Sequence, residues 1–320
     1  MRLWPQASDF DIRAIYAIFV RFYILLSDFL KLMSGHAVHD TGMQSYLMNN
    51  MTGNTGIDGY AVITGASTGL GKCFALELAS RSINTILVSL PGEGLGDVCS
   101  MCRGKGTDSV FYETDLTDMS CLMDLTAEIN RKYKVSILIN NAGMGGTDIF
   151  EKASAGYITG IIRLNACATT MMTHELLPNL LDGKSSFVLN ISSLASLTPT
   201  GFKTVYPASK CFVRYFSVGL RNELKGTPVS VSVALLGPMA TRPDIAERIR
   251  SQGWIGRFLT VPVEAVAKEC VDGMFRRKGT IVCGLSNKFS RCLLKVIPEG
   301  IRASVMTRTM SNELKCQGLI

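Results

Sequence analysis

From Tyr60 onward, short apolar runs alternate along the chain with longer segments whose apolar positions recur every three or four residues. The short runs predict strands, and the longer segments predict amphipathic helices. The predicted strands are Tyr60–Ile63, Thr85–Leu90, Val110–Tyr112, Ser136–Ile139, Ser186–Ile191, Val229–Leu235 and Thr280–Cys283. The predicted helices are Leu70–Ser80, Asp118–Tyr133, Ala155–Leu181, Lys203–Lys225 and Val263–Phe275. This alternation predicts an α/β fold with a doubly wound parallel sheet, which binds ligands at the carboxyl ends of its strands.

Residues 1–58 precede this pattern as an N-terminal extension. One helical face there carries Ile15, Phe19, Phe22, Leu26, Phe29 and Met33. Arg21 and Asp28 interrupt the stretch, so it predicts an interfacial helix rather than a transmembrane one, which needs about 20 mostly apolar residues. The alternative is that translation starts at Met48 or Met51 and that the extension is no part of the protein.

Residues 285–320 follow the last predicted strand as a basic C-terminal tail. Its helical spacing separates an apolar side from a basic side, with Phe289, Cys292, Leu293, Val296 and Ile297 opposite Lys288, Arg291 and Lys295. Such a helix either lies on an anionic membrane surface or packs against the domain and exposes its lysines. We therefore divide the chain into 1–58, a catalytic domain at 59–284 and the tail.

Composition narrows the class of protein. Of the 320 residues, 47% are hydrophobic and 18% are charged, which is enough apolar surface for one large domain. The net charge of +7 is carried from Arg276 to the C-terminus, where there are nine Lys or Arg and two glutamates, so the remainder is neutral and does not predict a nucleic-acid binder. The ten cysteines lack a paired pattern, which predicts reduced thiols and a cytoplasmic protein, and Cys99 with Cys102 lacks the further ligands of a zinc site.

The first strand runs into a glycine-rich turn that opens a helix. The candidate cofactor residues in this turn are Thr64, Gly65, Ser67, Thr68, Gly69, Leu70 and Gly71. Glycines let the backbone approach a pyrophosphate, and a helix N-terminus offers unpaired N–H groups and a positive dipole. Taken alone, the turn is also compatible with a purely structural role.

Tyr206 and Lys210 lie four residues apart near the start of a predicted helix and therefore on one face. A nearby ammonium stabilises a phenolate and lowers the pKa of a tyrosine towards working pH, as an acid/base catalyst requires. Ser193 follows the strand that ends at Ile191, where its hydroxyl can bind a substrate oxygen. Asn165 lies inside a predicted helix, where an amide suggests a polar function. Taken singly, each residue is better explained without a function, Ser193 as a surface serine and Asn165 as a capped or solvated amide.

Together these motifs resemble the short-chain dehydrogenase/reductase family over about Tyr60 to Cys283. The motifs that carry the resemblance are the Thr64–Gly71 turn, Asp115 after the third strand, Asn140-Asn141-Ala142-Gly143 after the fourth, Asn165, Ser193, Tyr206 and Lys210.

The resemblance implies a Rossmann-type domain with a catalytic tetrad of Asn165, Ser193, Tyr206 and Lys210. In that scheme Tyr206 exchanges a proton with the substrate oxygen, Ser193 positions that oxygen, Lys210 holds the nicotinamide ribose, and Asn165 orders a proton-relay water. The cofactor contacts that it implies further along the chain are Asp115 at the adenine, then Asn141, Ala142, Gly143, Tyr206, Lys210, Gly237 and Thr241. Leu236 departs from the family's proline before Gly237, which puts the course of that loop in doubt.

The second strand ends at Val88-Ser89-Leu90 and offers no acidic residue for the ribose hydroxyls, which favours NADP(H) over NAD(H). The apolar segment 242–262 lies where the family places its substrate lid, which predicts a hydrophobic carbonyl or alcohol substrate. The alternative is that its apolar residues only pack the lid onto the core. Family members are often oligomers, so a homo-oligomer is expected. No resident metal is expected.

The alternatives to a dehydrogenase are an enzyme that does other chemistry on a bound nucleotide, as an epimerase does, and a non-catalytic NAD(P) sensor. A Ser/His/Asp hydrolase is disfavoured because the main domain contains only His174.

Overall fold

The computed structural model describes residues 57–239 and 261–316, with no side-chain description of Cys316. Three groups of sequence predictions therefore lie outside the described residues: the amphipathic pattern within 1–56, Thr241, and all but the last two residues of the proposed lid at 242–262.

Within the described residues, one seven-stranded parallel sheet forms the centre of the fold, in the order β3-β2-β1-β4-β5-β6-β7. Its strands are β1 (Tyr60–Thr64), β2 (Thr85–Ser89), β3 (Ser109–Glu113), β4 (Val135–Asn140), β5 (Ser186–Ser193), β6 (Val229–Leu236) and β7 (Thr280–Ile281). The chain order reverses between β1 and β4, which places a crevice at the carboxyl ends of these two strands. The predicted doubly wound, Rossmann-type sheet is thus confirmed.

The helices are α1 (Gly69–Ser80), α2 (Leu95–Arg103), α3 (Met119–Lys132), α4 (Ala155–Ile162), α5 (Thr169–Leu181), α6 (Val205–Glu223), α7 (Val263–Phe275), α8 (Leu285–Val296) and α9 (Glu299–Cys316). One apolar layer joins α1, α2 and α7 to one face of the sheet. A second layer joins α3 and α5 to the other face. Both faces of the central strands are therefore buried, which is why β4 and β6 are apolar along most of their length.

Two helical details differ from the sequence predictions. The helix α2 was not predicted, because its nine residues carry only a short apolar stripe, which the structure buries against the sheet. The predicted helix 155–181 is interrupted by a π-helical turn at Arg163–Ala168, between α4 and α5. Such turns are common at functional sites, and this one contains Asn165.

The C-terminal helix α9 packs against the catalytic domain, whereas the two alternatives predicted from the sequence concern the preceding helix α8 and remain predictions. Met310 and Leu314 are buried, and the Thr307 hydroxyl accepts a hydrogen bond from the Gly201 N–H at 2.9 Å. The Arg302 guanidinium donates to the carbonyl of Leu197.

None of the helices in the two described stretches has the length and apolar character that crossing a membrane requires.

Candidate active site

The glycine-rich turn connects β1 to α1 through two residues in the left-handed region, Gly65 at φ 64° and Gly69 at φ 53°. A Cβ on Gly71 would lie 1.9 Å from the carbonyl oxygen of Gly65, so only glycine fits at position 71. The Thr68 side chain makes no capping hydrogen bond to the first turn of α1. The N–H groups there are therefore left for an anion, and the turn fits the pyrophosphate of a dinucleotide.

The segment after β4 is fastened to this turn by hydrogen bonds. The Thr64 hydroxyl accepts from the N–H groups of Asn141 and Ala142, each at 3.0 Å. The Asn141 side-chain amide donates to the carbonyls of Thr64 and Gly65 at 3.0 and 3.1 Å. The residues that the sequence assigned to the cofactor from two separate strands thus form one connected surface.

Lys210 is only 6% exposed, and its Nζ donates to the Ile191 carbonyl at 3.0 Å. Burial lowers the pKa of this ammonium to about 8, because desolvation disfavours the charged form. The Nζ lies 6.0 Å from the centre of the Tyr206 ring. The predicted pair therefore does converge, with a desolvated cation beside the phenol ring.

Asn165 is completely buried, and its side-chain amide forms hydrogen bonds with other groups of the protein. Its Oδ1 accepts from the Met144 N–H at 2.9 Å, and its Nδ2 donates to the Met144 carbonyl at 2.8 Å and to the Ser209 hydroxyl at 2.9 Å. A Cβ on Gly143 would lie 3.0 Å from Asn165 Oδ1 and 3.1 Å from Lys210 Nζ, so these three residues meet. Asn165 thus positions the segment around Met144, and its part in ordering a water remains a prediction.

Ser193 is the last residue of β5, rather than a loop residue beyond the strand as its sequence context predicted. Its hydroxyl donates to the Leu236 carbonyl at 3.3 Å and accepts from the Ala195 N–H at 3.1 Å. It therefore lies at the carboxyl edge of the sheet beside the end of β6, where the sequence required it, and its contact with substrate remains a prediction.

Asp115 and Gly237 both have local structural roles. The Asp115 carboxylate accepts from the N–H and the hydroxyl of Thr117, each at 2.8 Å. A Cβ on Gly237 would lie 2.3 Å from Oδ1 of Asn287, a buried residue of α8. The cofactor contacts implied for Asp115 and Gly237 therefore remain predictions.

Gly145 contacts the Tyr206 ring, and sequence reasoning missed it. A Cβ at position 145 would lie 2.4 Å from Cδ2 of Tyr206. The only signal in the sequence is the Gly145-Gly146 pair that follows the Asn141–Gly143 motif, and nothing there indicates which side chain it would contact.

We expect Gly145→Ala to displace the phenol and lower turnover by about a hundredfold, as a misplacement of about 1 Å does. The dissociation constant of the nucleotide should stay close to the wild-type value. Steady-state kinetics and a binding titration check this. Gly156→Ala is the matched control, because a Cβ there approaches nothing closer than the Ser154 hydroxyl at 4.0 Å. Wild-type turnover in Gly145→Ala would contradict the ring contact.

Comparison with known proteins agrees with this architecture. Residues 59–252 match the short chain dehydrogenase family. The ketoacyl reductase HetN of Nostoc is 32% identical over 78% of this chain and 85% of its own length. The protein therefore belongs to the short chain dehydrogenase family.

Other relatives and solved structures show how far the likeness extends. A human protein named inactive hydroxysteroid dehydrogenase-like protein 1 is 31% identical over 62% of this chain and 59% of its own length. This chain spans about three fifths of the length of several such curated relatives. A short-chain dehydrogenase from Sphingobium yanoikuyae in complex with NADPH has a TM-score of 0.63, with 25% identity over 75% of this chain and 96% of its own. One from Burkholderia phymatum holds NAD, with a TM-score of 0.65 and 20% identity over 74% and 92% of the two chains.

Proposed function

We propose that this protein is an NAD(P)-dependent oxidoreductase that interconverts a hydrophobic alcohol and its carbonyl. The observation that carries the proposal is the meeting of Lys210, Asn165 and Gly143 at the sheet edge beside Tyr206. The nucleotide turn opens at the same edge, since Asn141 hydrogen-bonds to it. A proton-transfer group and a nucleotide site that lie together support hydride transfer coupled to proton transfer.

The work of the reaction is divided among few residues. A nicotinamide dinucleotide held by the Thr64–Gly71 turn would supply or accept the hydride. Tyr206 gives its phenolic proton to the carbonyl oxygen during reduction or takes it back during oxidation, while the Ser193 hydroxyl orients that oxygen. The buried Lys210 ammonium stabilises the phenolate that Tyr206 becomes. Asn165 holds the Met144 backbone and so fixes the wall of the site.

The substrate proposal is supported by a small cavity beside Tyr206. Its lining is mostly apolar, with Phe150, Tyr157, Ile158, Phe202 and Val205, and it also contains the charged Asp148 and Lys203. Phe150 is 60% exposed, so it presents an aromatic surface to an incoming molecule. A relative is named a ketoacyl reductase, and we propose for this chain likewise a carbonyl carried on a hydrophobic body.

The test is direct. Purified protein should bind NADH or NADPH in a fluorescence titration and then reduce members of a panel of hydrophobic ketones, including 3-oxoacyl thioesters and steroids. Binding without turnover on any carbonyl would favour the second candidate, a nucleotide-binding protein without catalysis, which the name of the human relative motivates. Failure to bind either nucleotide would contradict both candidates.

We further propose that the protein is a homo-oligomer. Apolar and aromatic side chains are exposed along α6, namely Phe212, Tyr215 and Val218. The Phe212 and Phe216 rings are stacked on the same helix, with their centroids 6.2 Å apart. A contiguous apolar helix face of this kind is typical of an interface between copies of a chain.

Peripheral membrane contact is the last proposal, and α8 supports it. Leu285 and Val296, at the two ends of α8, are 84% and 70% exposed, and the exposed Lys295 precedes Val296 in the chain. We expect Leu285→Ser with Val296→Ser to weaken flotation of the protein with anionic phosphatidylserine vesicles several-fold, because less apolar area reaches the interface. Vesicles of neutral lipid are the control. Equal flotation of the variant and the wild type would contradict a membrane role for α8.

A further inference from the structure

Three side chains meet at the carboxyl end of β2, beside the nucleotide turn. Ser67 lies in the turn, Ser89 is the last residue of β2, and Glu93 follows four residues later. The Ser67 hydroxyl donates to Glu93 Oε2 at 2.7 Å, and the Ser89 hydroxyl donates to the same oxygen. The two serine oxygens lie 2.9 Å apart and are almost completely buried. The Glu93 carboxylate therefore lies beside the end of β2, although the strand end itself carries no acidic residue.

The loop between β2 and α2 holds Glu93 there. Gly92 and Gly94 flank it in the left-handed region, at φ 78° and 72°, which turns the chain back towards the nucleotide turn. The Gly92 N–H also donates to Glu113 Oε1 at 3.2 Å, which ties the loop to the end of β3. The position of the Glu93 carboxylate thus follows from the backbone as well as from its serine partners.

This cluster offers a negative charge and a hydrogen-bond acceptor to a ligand. Within residues 57–239 and 261–316, no lysine or arginine forms a hydrogen bond or ion pair with Ser67, Ser89 or Glu93. Glu93 Oε1 takes no hydrogen bond from these described residues, so it remains available as an acceptor at the exposed rim. The cluster suits a neutral hydroxyl donor and opposes a second anion.

We propose that Glu93 selects NAD(H) over NADP(H). The inference rests on the proposed function, because it requires the turn to hold a nicotinamide dinucleotide. The two cofactors differ at the adenosine ribose, which carries a free hydroxyl in NAD(H) and a phosphate in NADP(H). A carboxylate accepts hydrogen bonds from ribose hydroxyls and repels the phosphate. The sequence favoured NADP(H) because the end of β2 carries no acidic residue, whereas the structure places the Glu93 carboxylate beside that strand end.

The experiment measures equilibrium binding rather than turnover. Dissociation constants for NADH and NADPH are determined by calorimetry for the wild type, for Glu93→Gln and for Asp97→Asn. Glu93→Gln keeps the size of the side chain and removes its charge. Asp97→Asn removes the same charge from the exposed first turn of α2, four residues further along the chain, so it controls for a general change in electrostatics. Thermal melts of each variant confirm folding.

We expect the wild type to bind NADH at least tenfold more tightly than NADPH, and Glu93→Gln to narrow that ratio about tenfold, as loss of a charged hydrogen-bond acceptor does. Asp97→Asn should keep the wild-type ratio. A wild type that binds NADPH as tightly as NADH, or a ratio unchanged in Glu93→Gln, would overturn the assignment while leaving the proposed function intact. Failure of both nucleotides to bind the wild type would instead overturn the proposed function, and the inference with it.

Discussion

Tyr206→Phe is expected to lower turnover by about 10²- to 10⁴-fold while the nucleotide still binds, since proton transfer by a positioned group contributes about that much. The substitution removes one oxygen and keeps the ring. The contacts of that ring with Gly145 and with the cations of Lys203 and Lys210 should therefore persist. The loss is then attributable to the missing proton donor rather than to a rearranged site.

Single-turnover reduction of a carbonyl, followed by nucleotide absorbance, measures this effect. Tyr215→Phe is the matched control, because Tyr215 lies on the same helix and is 68% exposed. The control should react like the wild type. If Tyr206→Phe kept wild-type turnover, another group would have to supply the proton and the proposed mechanism would be wrong.

Lys210→Met is expected to remove both catalysis and a characteristic pH dependence of stability. The pKa of Lys210 is about 8 in the folded protein, against an ordinary value of 10.5. Between these values the unfolded chain binds more protons than the folded one, so the free energy of unfolding of the nucleotide-free enzyme rises with pH across this window. The full rise is about 3.5 kcal/mol, from about 1.4 kcal/mol for each pKa unit between 10.5 and about 8. Below pH 8 the buried ammonium lowers stability by that amount.

Urea unfolding at intervals from pH 7 to pH 10.5 measures the rise. We expect it in the wild type, its loss in Lys210→Met, and its retention in Lys225→Met, whose lysine is exposed just beyond α6. Turnover of Lys210→Met should fall as well, because the charge that stabilises the Tyr206 phenolate is gone. Parallel pH profiles in the wild type and Lys210→Met would contradict the burial of a charged lysine.

The order of strands and helices was predictable because each element is encoded locally. Continuous apolar runs marked the buried strands, and all seven are confirmed to within a few residues. The helix α2 was missed because its apolar stripe is short, and only the structure shows that this stripe is buried against the sheet. The π-helical turn at Asn165 was missed because its residues are compatible with an ordinary helix, and the hydrogen bonds to Met144 accompany it in the structure.

The sequence by itself determined the parallel sheet, the nucleotide turn and the spacing of Tyr206 and Lys210, since these depend on periodicity and on residues close together in the chain. Only the tertiary structure decided that Glu93 reaches Ser67, 26 residues away in sequence, and that Gly145 lies against Tyr206. It also decided the burial of Lys210. Contacts of this kind arise when separate βα units pack together, and the local pattern of apolar and polar residues does not encode which loop meets which strand end.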